Sequence, residues 1–332
     1  MADIIYYVIP CYNEEEVLPL TAHKIGSQLA AQTEKGLAAR GSRILFVDDG
    51  STDGTWQLIE KLSQVNPLFT GLKLSGNRGH QNALLAGLMA AKKQANAVIS
   101  MDADLQDDIR VSDDFLKAYY EGCDVVYGVR KNRRKDTFFK KTTAEEFYRL
   151  MHLMGVKLVF NHADYRLMSR KALHCLEQYR EVNLFLRGIV PQIGLKSTCV
   201  QYERAERAAG ESKYSLSKML ALAVNGITSF SIKPIRLVDL LGIGSLGAGV
   251  IMAIAAAATG GRIFAGQAAL LCSLWLLEGT GMLSLGLVGE YIGKIYAEVK
   301  RRPRYFVERD LSKDVKSTAL PKVSPDKKTS SD

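Results

Sequence analysis

The stretch Asp102-Ala103-Asp104-Leu105-Gln106-Asp107, placed directly after the apolar run Ala97-Val98-Ile99-Ser100-Met101, decides how the rest of the chain is read. A short apolar run bounded by turn residues reads as a buried strand, so the carboxylates cluster at a strand's C-terminal end. Hard cations such as Mg²⁺ and Mn²⁺ prefer oxygen ligands and usually keep positions open for substrate phosphates. Alternate residues of an extended chain share a face, so Asp102, Asp104 and Gln106 converge on one ion if the extended geometry continues past the strand. An Asp-x-Asp pair alone reads more often as a solvated acidic turn. Its weight comes from the stretches around it.

Upstream, residues 4–9 form a β-branched and aromatic run closed by Pro10, and Cys11-Tyr12-Asn13-Glu14-Glu15-Glu16 leads into a helix, acidic where the helix dipole favours acids. Residues 43–47 read as a second strand, followed by Asp48-Asp49-Gly50-Ser51-Thr52-Asp53-Gly54-Thr55, a loop rich in turn and N-cap residues. Residues 69–74 give a third strand, and residues 75–82 join it to a helix carrying Leu84, Leu85, Leu88 and Met89. Downstream, residues 124–129 form a fifth strand that opens into the basic loop Arg130-Lys131-Asn132-Arg133-Arg134-Lys135. Helices are expected around residues 144–159 and 169–179. Repeated strand-loop-helix units predict an α/β fold with a mostly parallel sheet, and such sheets bind ligands at the carboxyl ends of their strands. The polar motifs lie at those ends.

The 332 residues are 47% hydrophobic, ample for a core, but the apolar residues are unevenly placed. Residues 240–259 are an uncharged run of twenty, and residues 263–289 are interrupted only by Glu278 and, near their start, by no other charge. Runs of this length predict two membrane helices within 237–293. Before them, in 213–236, Leu216, Met219, Leu220, Ala223, Val224 and Ile227 fall on one helical face, as in a helix lying at a membrane interface. Lys233 and Arg236 precede the first run, and Lys294, Lys300, Arg301, Arg302 and Arg304 follow the second. Gly260-Gly261-Arg262 between them carries one charge, so both flanks are expected in the cytoplasm and the loop outside. Gly244 and Ala248, Ser245 and Gly249, and Gly289 and Gly293 predict close helix packing, and mid-span Glu278 is expected to be neutral, paired or facing protein. The divisions are therefore 1–212 as catalytic domain, 213–236, 237–293, and a basic tail 294–332, polar after Pro303 and largely disordered after about residue 310.

The net charge of +9 suits an anionic membrane surface or phosphorylated ligands, and with membrane helices expected it does not point to nucleic acid. The five cysteines show no Cys-x-x-Cys spacing, so neither a zinc site nor a disulfide framework is indicated, and a reducing, cytosol-facing catalytic part is the simplest reading. Met1-Ala2-Asp3-Ile4-Ile5 has no basic region and does not read as a signal peptide.

Val8-Ile9-Pro10-Cys11-Tyr12-Asn13-Glu14-Glu15, Val47 to Thr55 with its Asp48-Asp49-Gly50-Ser51 core, and Asp102 to Asp107 together resemble inverting family-2 glycosyltransferases of the GT-A fold. Gly128-Val129-Arg130, Asp164-Tyr165-Arg166-Leu167-Met168, Gly210-Glu211-Ser212-Lys213-Tyr214 and Gly289-Glu290-Tyr291-Ile292-Gly293-Lys294-Ile295-Tyr296 look like its polyprenyl-phosphate branch, which includes dolichol-phosphate mannose synthase and the bactoprenol glucosyltransferases. The resemblance covers roughly residues 4–309. It implies a hexosyltransferase at the cytoplasmic membrane face that passes a sugar from a nucleotide sugar, UDP-glucose by expectation, to polyprenyl (undecaprenyl) phosphate for cell-envelope glycan modification. It also implies Mg²⁺ or Mn²⁺ as cofactor and a homo-tetramer. By motif, Pro10, Tyr12, Glu14, Asp49 and Asp102 hold the nucleotide, Asp102, Asp104 and Gln106 hold the metal, and Arg130, Arg207 and Lys213 receive the lipid phosphate. Asp164 falls at the catalytic centre. A phosphate monoester has a second pKa of about 6 and needs no base near neutral pH, so Asp164 is expected to orient Arg166 or a neighbouring basic side chain. Lys140 and Lys141 stand where dolichol-phosphate mannose synthases carry a further arginine, giving charge without the planar fork.

Two other readings compete. A processive polysaccharide synthase would resemble its family in a Gln-x-x-Arg-Trp element, but the only tryptophans, Trp56 and Trp275, follow Thr55 and Leu274. A non-enzymatic membrane scaffold or flippase accessory has no need of intact acidic and basic clusters.

Overall fold

The computed structural model describes residues 2–131, 162–182, 184–203, 228, 233–258 and 267–314. Its centre is an eight-stranded sheet in the order β7-β5-β6-β4-β1-β2-β3-β8. The strands are β1 (Ile5–Cys11), β2 (Arg43–Asp48), β3 (Phe69–Leu74), β4 (Ala97–Ser100), β5 (Val125–Arg130), β6 (His162–Ser169), β7 (Ser197–Tyr202) and β8 (Val307–Asp310). β3, β2, β1 and β4 run parallel, as the strand-loop-helix units predict. β6 then enters antiparallel between β4 and β5, β7 lies parallel to β5, and β8 closes antiparallel on β3. The sheet is therefore mixed.

Strand alternation sorts side chains to two cores. Ile5, Tyr7 and Ile9 of β1 face one core, shared with α1 (Leu18–Glu34), α2 (Thr55–Val65) and α4 (Ser112–Tyr120) through Ile25, Ile59 and Phe115. Tyr6 and Val8 face the other, closed by α3 (His80–Ala91), α5 (Arg170–Glu177) and α6 (Leu186–Gln192) through Leu84, Leu173 and Ile189. With helices on both faces, ligands reach the sheet at its ends.

At the carboxyl edge the loops after β1 and β2 are stitched together. Asn13 accepts from the Thr52 N–H at 2.9 Å, the Asn13 N–H donates to Ser51 Oγ at 3.0 Å, and the Glu14 N–H donates to Thr55 Oγ1 at 2.9 Å. Gly50 has φ +71°, and a Cβ there would lie 2.6 Å from the Asn77 nitrogen and the Gly76 carbonyl carbon. Both contacts are backbone and cannot rotate away. Gly50→Ala is expected to cost about 1–2 kcal/mol from the left-handed backbone alone and to force the 75–79 loop outward, lowering the urea midpoint. An unchanged midpoint would contradict this close approach.

The expected membrane helices are corrected by the structure. Residues 233–258 and 267–300 do form helices, α7 (Lys233–Ala258) and α8 (Gln267–Lys300), but among the described residues no helix is long and apolar enough to cross a membrane. Lys233, Arg236 and Asp239 charge the start of α7, and Glu278, Glu290, Lys294, Glu298 and Lys300 charge α8. The two-sided topology drawn from the basic flanks falls with the spans. A Cβ at Gly244, Gly289 or Gly293 would meet nothing within 4 Å, so these glycines mark no close helix contact among the described residues. Glu278 is exposed. Most of 213–236 and the loop 260–262 lie outside the described residues, as does the helix expected at 144–159. After Pro303 the chain, read from sequence as a polar tail, forms β8 and a last short helix, α9 (Leu311–Asp314).

Candidate active site

β4 delivers the acidic stretch to the carboxyl edge, where the Met101 N–H donates to the Val8 carbonyl at 3.2 Å. The extended geometry does not continue. Leu105 adopts φ +55°, which breaks the period-two alternation that would have brought Gln106 to the face of Asp102 and Asp104. Gln106 is buried, and its N–H donates to Asp104 Oδ1 at 3.2 Å. Asp102 Oδ1 is buried and makes no hydrogen bond, an anomaly for a carboxylate oxygen. Burial raises the Asp102 carboxyl, Asp164 and Asp104 add to the rise, and His80 opposes it. An oxygen left in this condition suits a cation. Among the described residues no three His, Cys, Asp or Glu side chains gather into a metal-holding group.

Asp102 faces a second acid across His80. His80 Nε2 lies 3.5 Å from Asp102 Oδ1 and 3.7 Å from Asp164 Oδ2. Burial alone would lower the imidazole, but Asp164 and Asp102 outweigh it and raise the pKa. Asp164, 4% exposed, stands on β6 and accepts from Arg166 Nη2 at 2.6 Å, Arg187 Nη2 at 2.9 Å and Arg187 Nε at 3.3 Å. Burial pushes its carboxyl up, yet Arg187, His80 and Arg166 together hold it well below the usual range. Ser100 Oγ donates to the Asp164 carbonyl at 2.6 Å and so locks β4 to β6 beside the pair.

The loop before α3 sets His80 in place. Asp49 accepts from the Arg78 N–H at 2.7 Å and the Gly79 N–H at 2.9 Å, and Gly79 has φ +84°. Gln81 Oε1 accepts the Leu186 N–H at 3.0 Å, which ties the start of α6, and with it Arg187, to the start of α3. On the other flank Tyr202 donates to Asp107 at 2.5 Å, Arg130 Nε donates to the Tyr202 hydroxyl at 3.3 Å, and Arg130 Nη2 is 3.8 Å from Asp107. Burial, aided by Asp102, pushes the Asp107 carboxyl up to about 6.

Of the residues singled out from sequence, Asp102, Asp104, Asp164 and Arg130 thus gather at one edge with Asp49 behind them. Pro10 lies within β1, which is buried through Cys11, and Tyr12 is 46% exposed just beyond the strand. Arg207, Lys213, Lys140 and Lys141 lie outside the described residues. His80, Arg187 and Tyr202 were not found from sequence. His80 sits in a stretch legible only as a connection, and Arg187 sits in an apolar helix without a motif of its own.

Residues 6–177, just over half of the chain, match the family described as Glycosyl transferase family 2. The Uncharacterized glycosyltransferase YkoT of Bacillus subtilis (strain 168) is 53% identical over 310 residues, 93% of this chain and 92% of that protein. The Prophage bactoprenol glucosyl transferase homolog of Escherichia coli (strain K12) is 36% identical over 306 residues, 91% of this chain and 97% of the other. The SfII prophage-derived bactoprenol glucosyl transferase of Shigella flexneri is 37% identical over 307 residues, 91% and 96% of the two chains. With the family matched over the sheet that carries the acidic edge, and with relatives aligned nearly end to end, this chain belongs to glycosyl transferase family 2 and is a glycosyltransferase.

Proposed function

We propose that the chain transfers a sugar from a nucleotide sugar, UDP-glucose first among candidates, to a polyprenyl (undecaprenyl) phosphate with inversion. The observation that carries the acceptor is that relatives aligned over 91% of the chain are named bactoprenol glucosyl transferases. In the transfer an acceptor phosphate oxygen bonds to the anomeric carbon as the bond from that carbon to the nucleoside diphosphate breaks. Pro10, Tyr12, Glu14 and Asp49 serve the nucleotide side, Asp49 by fixing the 78–79 turn. Arg130, Arg207 and Lys213 serve the acceptor phosphate, whose dianion needs charge and positioning more than a base. Asp164, ionised and gripped by two guanidiniums, is a poor proton acceptor and a good tether.

Mg²⁺ or Mn²⁺ fits the donor side, since Asp102 Oδ1 is buried without a hydrogen bond. Asp102 and Asp104 would hold it, with Gln106 backing Asp104 through its N–H. Such a cation, when bound, stabilises charge on the departing diphosphate as a Lewis acid. The exposed apolar side chains of α7 and α8, Leu240, Ile243, Leu283 and Leu285 among them, suit the lipid end of the acceptor at the cytoplasmic membrane face.

The test is mass spectrometry of the lipid product after incubation with undecaprenyl phosphate and a panel of UDP-glucose, UDP-galactose, UDP-N-acetylglucosamine and a UDP-aminoarabinose. A hexosyl-monophosphate lipid from UDP-glucose is expected, and no product from any donor defeats the reading. Arg130→Ala should raise KM for the lipid phosphate by about tenfold or more, the loss of one charge-assisted hydrogen bond at about 1.5–3 kcal/mol. Nucleotide affinity should stay at its wild-type value. An equal fall in both would move Arg130 to the donor side.

A further inference from the structure

A cavity of about 520 Å³ lies between α3, the end of α5 and the segment that follows α8. Leu85, Ala86 and Met89 of α3, with Lys93 just past its end, form one wall. At a rise of about 1.5 Å per residue the end of α3 at Ala91 stands about 16 Å along the helix axis from His80, and the lining shares no residue with the acidic edge. Its floor is apolar: Leu72, Leu85, Ala86 and Leu176 are buried, and Tyr179 and Tyr305 are half-buried.

The rim is basic. Lys93, Arg180, Arg302, Arg304 and Lys313 line it, against Glu177 and Asp310 as the acids. Both acids are already engaged, Glu177 by Lys92 and Asp310 by Lys313 at 3.6 Å and the Ser312 hydroxyl at 2.6 Å. Arg304 donates to the Tyr179 carbonyl at 2.7 Å, which anchors the strap 302–305 over the floor. Lys93, Arg180 and Arg302 are exposed and make no ion pair or side-chain hydrogen bond among the described residues. Surface cations commonly lay their stems on apolar surface and keep their heads in water. Lys93 is shared with Glu177, whose carboxyl it helps to lower after Lys92, so the rim of three cations on three separate segments, around one apolar floor, keeps a net positive charge and goes beyond that arrangement. Their mutual repulsion falls when an anion enters, and the floor gains when an apolar body covers it.

We infer that this cavity binds a phosphoryl group carried on an apolar body, the phosphate on the Lys93, Arg180 and Arg302 rim and the body on the Leu85, Met89 and Leu176 floor. Membrane phospholipid and soluble phosphorylated metabolites both supply that chemistry. The inference is independent of the transfer reaction proposed above, because none of these residues belongs to the acidic edge.

Calorimetry on the full chain in neutral detergent tests it with dihexanoyl phosphatidic acid, dihexanoyl phosphatidylcholine and inorganic phosphate as probes. Phosphatidic acid should bind at least about tenfold tighter than either control, and the triple variant Lys93→Ala, Arg180→Ala, Arg302→Ala should lose at least about tenfold. Sugar transfer and the melting temperature of the triple variant should match wild type, which separates this result from failure of the catalytic reading. Met89→Gln, which makes the floor polar and leaves the rim intact, should weaken phosphatidic acid and leave inorganic phosphate unaffected. Equal binding of phosphatidylcholine, equal binding of inorganic phosphate, or undiminished binding by the triple variant overturns the inference. Flotation with phosphatidylglycerol-containing vesicles, lost in the triple variant, identifies a lipid source. Displacement of phosphatidic acid by uridine monophosphate without any flotation identifies a soluble one, and failure of both arms counts against the site.

Discussion

Asp164→Asn is expected to destabilise the folded chain by about 3–5 kcal/mol, the usual cost of leaving a buried charge without its partner. The charge at issue is Arg166, 1% exposed, whose Nε has no hydrogen-bond partner and whose Nη2 depends on Asp164 at 2.6 Å. Arg187 loses the same acceptor. Denaturant unfolding measures the loss, and Arg166→Met in the Asp164→Asn background should recover most of it. The pH dependence follows in sign. Because the native carboxyl is held well below its usual range, its stabilisation is complete above the unfolded pKa of about 3.9 and fades as pH falls below that value toward the native one. Asp164→Asn should therefore differ most from wild type near neutrality and converge with it in acid. The variant that remains folded should keep a substantial fraction of turnover if Asp164 is a tether. A loss of several orders of magnitude, in a folded protein that binds both substrates normally, would make it the general base instead.

Asp104→Asn should act in the opposite way, leaving stability near wild type and nearly abolishing transfer. Asp104 is only partly buried and accepts the Gln106 N–H, a bond that an asparagine oxygen can also accept. What is lost is a negative charge beside the Asp102 oxygen that makes no hydrogen bond. A fall in kcat of about 10²–10³ is expected, the scale seen when one electrostatic contact to developing charge is removed. A second readout is independent of turnover: Mn²⁺ should strengthen UDP binding to wild type in calorimetry and fail to do so in the variant. Wild-type turnover by Asp104→Asn in chelator would remove the cation from the scheme altogether.

The parallel half of the sheet was legible because its strands are buried on both faces and read as apolar runs. β6 was not, since Asp164 and Arg166 give it the look of a polar loop. The two neutralise one another across a single turn of alternation, so a strand in the middle of the sheet carries charges that no hydropathy pattern reports. The acidic pair was visible as a motif, but the positive φ of Leu105, which leucine gives no reason to expect, ends the extended alternation before Gln106. His80 and Arg187 meet Asp164 from sequence separations of 84 and 23 residues, and only the sheet order brings them together. The two long apolar runs yielded helices, as their length suggests, but among the described residues neither helix is long and apolar enough to cross a membrane.

β8 gives the fold a direction in time. Its pairing with β3, which sets Lys73 3.1 Å from Glu308 across 235 residues of sequence, cannot form until residue 310 has left the ribosome. At about 5–20 residues per second the interval is some tens of seconds. Throughout it the edge of β3 offers unpaired N–H and C=O groups to any neighbouring chain. A nascent chain that stalls short of residue 307 is thereby marked as unfinished, its edge still open to aggregation and to chaperones, whereas a chain carried through residue 310 covers that edge with its own last strand.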